Sequence, residues 1–196
     1  MRPMSSRIRF ATARSVFEAF PDLDYVAARP AGDVDPLDHA RALLASSRPR
    51  DAVLFLSHLL PRREAVWWAL QCVRALIGED GADEALRAAE SWVRTPEDEN
   101  RRAALSVANA SDRRKPTTWL AFAAGWSGGS LLPADQKPVA APPGACAMAA
   151  NAAIMMGVAA GDPRAAMRRM VACAEAGVRF ASGGELAVLG LEAASQ

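Results

Sequence analysis

The side chains best suited to chemistry in this chain of 196 residues are two histidines, three cysteines and a short run of acids. Asp33, Asp35, Asp38 and His39 lie close together in sequence, and carboxylates with an imidazole are ligands that a divalent cation accepts. A calcium loop needs a glycine that this run lacks. Asp35-Pro36-Leu37-Asp38 reads more simply as a helix start, with a capping acid, a proline at the first position and an acid in the first turn. Capping acids in a solvated loop are the expectation, with no metal. His58 follows Ser57 near a helix C-terminus, where an imidazole suits the negative end of the dipole. Neighbouring residues leave a helix in different directions, so Ser57 and His58 do not form a nucleophile and its base. A dyad of His58 with Cys72 needs a tertiary contact. The simpler expectation is a surface imidazole and a core thiol, because a reactive thiol needs an exposed, electropositive setting.

Other candidates are weaker. Cys72, Cys146 and Cys173 are widely spaced, each in an apolar pattern, which argues against a disulfide framework or a CxxC zinc site and for free thiols in a reducing cytosol. The stretch Trp126-Ser-Gly-Gly-Ser130-Leu-Leu-Pro133 is glycine-rich, but it follows a helix and lacks the Gly-Lys-Ser/Thr ending of a phosphate loop. A helix stop is expected there, and no cofactor. Arg62-Arg63, Arg101-Arg102 and Arg113-Arg114-Lys115 sit at helix ends or beside acids, so they read as solvated faces and not as a nucleic-acid patch. A net charge of +1 supplies no general field for nucleic acid or an anionic membrane.

Over the whole chain, 51% hydrophobic and 23% charged residues make a globular composition, and abundant alanine with few β-branched residues favours helix. The expected fold is all-α, a bundle of stacked α-hairpins without a letter-for-letter repeat. Pro61–Gly78 is its centre: at about 100° per residue only Glu64, Gln71 and Arg74 make a polar stripe, so neighbours must cover the rest. Trp67 falls inside that stripe, either capped by another segment or offered to a partner. Further helices are expected at Thr12–Phe20, from Asp35 to Ser46, after a cap at Asp51, from Asp83 or Glu84 to Val93, after the cap Thr95, and from Pro116 to Trp126. The proline-rich connection 130–143 is the best internal boundary. Two last helices follow it, about Pro143–Ala160 and Pro163–Ala176, the second with Arg164, Arg168 and Arg169 outward and Met167 and Met170 inward. A short helix is expected in the tail from Gly183. The uncharged run Pro138–Gly161 is broken by prolines and rich in alanine, so it reads as a core helix rather than a membrane span. The N-terminus has arginines but no apolar region of a secretory signal.

Residues 65–76 (AVWWALQCVRAL), 95–104 (TPEDENRRAA) and 117–133 (TTWLAFAAGWSGGSLLP) resemble an uncharacterised bacterial family of small helical proteins, a domain of unknown function. Its members are similar in a Trp-Trp stretch, a Pro-x-x-Glu-Asn-Arg-Arg segment and a helix ending in Ser-Gly-Gly-Ser-Leu. The likeness spans about residues 50 to 176. It implies a link to type VI secretion loci, and hence a cytoplasmic accessory, adaptor or chaperone-like role, with no catalytic residue to carry over.

The resulting expectation is a non-enzymatic protein-binding module. Arg62, Arg63, Glu64, Trp67 and Gln71 form the first contact surface, and Trp126, Ser127, Leu131 and Leu132 the second, since Trp beside Arg is the composition of interface centres. Two alternatives stand beside it. One is a ligand binder or enzyme using His58, Cys72 and Asp33–Asp38; the other is a scaffold that associates with copies of itself.

Overall fold

The computed structural model describes residues 7–78, 83–132 and 135–188. Among these residues the chain forms nine α-helices: α1 (Ala13–Ala19), α2 (Pro36–Ala45), α3 (Pro49–Leu59), α4 (Arg62–Ile77), α5 (Glu84–Arg94), α6 (Asp98–Ala110), α7 (Pro116–Gly125), α8 (Ala145–Ala159) and α9 (Ala166–Ala181). Pro21–Tyr25 and Pro163–Ala165 are single 3-10 segments. The sole sheet-like pairing among the described residues is an isolated bridge, Ser130 with Ala140. The fold is all-α.

Local chemistry explains most helix starts. Thr12 and Ser15 close a capping box on α1, and the Asp35 carboxylate accepts from the N–H groups of Leu37 and Asp38 at the head of α2. Two starts differ from expectation. Helix α3 opens at Pro49, so Asp51 lies in its first turn and pairs with Arg48 instead of capping. Thr95 closes α5 rather than opening α6, because a residue before proline is pushed out of the helical region. Asp98 and Glu99 then meet the positive end of α6.

Helices α4 and α8 form the interior. Helix α8 packs mainly on α7 and α4, and α9 mainly on α3, so these last helices each join the body of the fold more than they join one another. Small residues let the axes approach closely. A Cβ on Gly125 would lie 2.8 Å from the Leu105 Cβ, which brings α6 and α7 almost to backbone contact. Trp68 on α4 is fully buried, and its indole N–H donates to the Cys173 carbonyl of α9 at 3.0 Å.

Helix α9 differs from the expected face assignment. Met167, expected inward, is 57% exposed, while the Arg169 guanidinium turns inward and donates to the Leu76 carbonyl at 2.8 Å. The 3-10 segment Pro163–Ala165 turns with three residues per turn, so the phase carried into α9 differs from that of a helix started at Pro163. Beyond α9, residues 184–188 are not helical, and the rest of the expected tail helix lies outside the described residues. The connection 130–143 folds back on itself: Leu131 N–H donates to Val139 O at 2.7 Å, and the Ser130 hydroxyl accepts from Leu132 and Val139. No described helix is long and apolar enough to cross a membrane.

Candidate functional site

The indole of Trp67 is half-buried on α4, while that of its neighbour Trp68 is fully buried. With Arg7, Arg63, Glu64, Val93, Arg94 and Phe180 it lines an open hollow of about 330 Å³ where α4 meets the end of α5, the end of α9 and the N-terminal segment. Each arginine there is oriented. The Arg63 Nε donates to the Val93 carbonyl at 2.7 Å. Arg7 donates to the carbonyls of Phe180 and Gly184 at 2.7 and 2.9 Å, with its guanidinium 4.3 Å from the Phe180 ring centroid. Arg94 reaches back to Glu90, which Arg74 also holds. The hydrogen bond from Arg74, followed by that from Arg94, keeps the Glu90 carboxyl below its ordinary pKa. Three arginines therefore share the wall of this hollow with one indole, Arg94 paired to Glu90, and Glu64 is the lining carboxylate. Gln71 lies one turn further along the stripe and is half-buried.

Arg62 belongs elsewhere. Its guanidinium donates to the Ser127 carbonyl at 2.7 Å, Arg101 donates to Gly125 O at 3.0 Å, and Arg102 donates to Leu132 O at 3.0 Å. Three arginines from α4 and α6 thus pin the Ser-Gly-Gly-Ser loop. Arg101, read from the sequence as part of a solvated face, is only 4% exposed. Gly129 at φ +61 leaves room for its guanidinium, which a Cβ would meet at 2.8 Å. Ser127 is buried, Leu131 and Leu132 are half-buried, and Trp126 stacks on Phe122 with centroids 4.7 Å apart.

Behind this loop lies a second cavity, about 200 Å³, with Arg9, His58, Arg62 and the first residues of α8 in its wall. His58 is 3% exposed, not a surface imidazole. Its Nδ1 lies 2.9 Å from the Leu54 carbonyl. A carbonyl can only accept, so Nδ1 carries the proton and Nε2 presents a lone pair. Burial lowers the His58 pKa and favours this neutral ring. The cysteine in this wall is Cys146, not Cys72. Burial pushes the Cys146 thiol up to about 12 despite Arg62 and Arg9, so it is not a nucleophile at neutral pH. Cys72 is a core thiol, raised well above its ordinary value by burial and by its hydrogen bond with Cys173.

The acids of the N-terminal part are engaged separately. Asp33 pairs with Arg14, Asp35 caps α2, Asp38 pairs with Arg41, and the buried His39 ring packs against Phe17 and Phe55. Among the described residues no group of three or more His, Cys, Asp or Glu side chains is placed to hold a metal ion. Sequence reasoning missed Arg7, Arg9, Gly144 and Phe180 as lining residues, since each reaches its site through the tertiary fold. The only local signal was Gly144 after Pro142-Pro143, a glycine at φ +80 heading α8.

A family model described as a family of unknown function (DUF6931) matches residues 39–181, and the chain belongs to that family. The match runs from α2 to the end of α9, so Arg7 and Arg9 lie before it. No curated protein and no solved structure matches the chain.

Proposed function

We propose that the protein is a non-enzymatic, cytoplasmic adaptor that binds an acidic segment of another protein, with an aromatic or leucine side chain of that segment seated against Trp67. The observation that carries this reading is that Arg7, Arg63 and Arg94 line one open hollow with a half-buried indole. Trp and Arg dominate the energetic centres of protein interfaces, and three oriented cations favour a partner of opposite charge. Gln71 extends the contact along α4. Trp126, Leu131 and Leu132 offer a second, rigid surface, to which Ser127 contributes only its position in the pinned loop. The resemblance in sequence directs the search for the partner to components and effectors of type VI secretion machines.

The test is recovery of such components from the native host with the tagged protein, followed by direct binding measurements with each purified candidate. Trp67→Ala and Arg63→Ala should each weaken binding at least about tenfold, the loss expected of an interface centre. Binding should also weaken as salt rises. Unchanged affinity in both variants would sink the proposal.

A further inference from the structure

The cavity beside His58 is lined by two arginines, one from the N-terminal segment and one from the head of α4. Arg9 and Arg62 both line it, and among the described residues neither forms an ion pair. Both side chains are partly open to solvent: Arg62 donates to the Ser127 carbonyl, Arg9 lies over the rings of Phe10 and Phe20, and burial, then the nearby charge of Arg62, lower the Arg9 pKa. The head of α8 faces the same space. Gly144 supplies no side-chain cap, and the N–H groups of Cys146 and Ala147 have no acceptor among the described residues. The His58 ring, which also lines this cavity, stands beside the helix head, with Nε2 3.4 Å from where a Gly144 Cβ would stand. This ring is 3% exposed, and its only hydrogen bond is the one from Nδ1.

The geometry points to a binding site for a small oxyanion that carries a proton, with hydrogen phosphate as the type. Arg9, Arg62 and the α8 N–H groups take the charged oxygens, and the anion's hydroxyl donates to His58 Nε2. The proton is the specific part. Arginines and a helix N-terminus accept any oxyanion, but a neutral Nε2 lone pair repels an oxygen that has no hydrogen to donate. Sulfate, which is fully deprotonated at neutral pH, fits the cations and not the imidazole. A volume of about 200 Å³ holds an ion of this size with a few waters.

The test uses the full chain at pH 7.5, titrated with inorganic phosphate or sulfate at ionic strength held constant with chloride. Binding is followed by the backbone amide resonances of Cys146, Ala147 and Gly128. Phosphate should shift them saturably, and sulfate should bind at least about tenfold more weakly, the discrimination expected when a buried polar atom loses its partner. Arg9→Met should weaken phosphate at least about tenfold through loss of a charge-assisted contact. His58→Leu should bring the two anions to equal affinity. Should that variant fail to fold, Arg9→Met and the sulfate comparison decide alone. The proposal is overturned by absence of saturation, by an Arg9→Met response equal to that of the wild type, or by sulfate matching phosphate.

Discussion

Trp67 and Trp68 are adjacent, yet they carry different duties. The Trp68 ring lies against Gly177, where a Cβ would stand 2.8 Å from its Cε2 atom. Because that indole is fully buried and tied to the Cys173 carbonyl, it has little room to retreat. Gly177→Ala should therefore destabilise the fold by about 1–3 kcal/mol, the usual cost of overpacking, read as a lower urea midpoint. Trp67→Ala should leave that midpoint much closer to the wild type and act on binding. The two histidines give a pH dependence. Burial lowers the pKa of His39 and His58 below the ordinary 6.5, so the unfolded chain takes up protons more readily than the folded one. Their contribution to stability is complete above the unfolded value and is lost as pH falls from there towards the folded one. Urea midpoints measured between pH 7.5 and 5 should fall on acidification, with a shallower slope in His39→Gln. An equal slope in that variant would remove His39 from the account.

At the scale of elements, arginines replace the caps that several helices lack. Helix α4 ends beside Arg169 of α9, whose guanidinium donates to Leu76 O, one of the last carbonyls of α4. Arg169→Met should cost about 1–2 kcal/mol through the lost charged hydrogen bond to a helix end. Arg169→Lys should recover part of it, because an ammonium still reaches a carbonyl. Chemical denaturation of the three proteins checks both statements. Helix starts were readable wherever one residue carried the signal: Thr12 and Asp35 cap as their types suggest. They were misread at Asp51 and Thr95, where a proline nearby competed for the boundary and backbone geometry decided. The face of α9 was misread because a short 3-10 turn shifts helical phase without leaving a mark in the apolar pattern.

For the whole molecule, α9 is a structural part of the bundle rather than an appendage. It covers α3, receives the Trp68 N–H and supplies Arg169 to α4. A chain ended at Gly161 should lose cooperative thermal unfolding, since a fully buried indole and the α3 face would be opened to water. A sharp calorimetric transition in that truncated chain would show that the remaining helices suffice. The sequence alone determined the helical class, the place of α4 at the centre and most helix limits, because propensity, apolar periodicity and proline position act over a few residues. It also marked Trp67 as an anomaly, since one aromatic in a polar stripe is visible on a helical wheel. Only the tertiary structure decided what lies beside that indole, that Arg62 turns to the Ser127 loop, and that His58 shares a cavity with Arg9 and the head of α8. Those groups come from distant parts of the chain, and their meeting depends on packing angles between helices that no local pattern encodes.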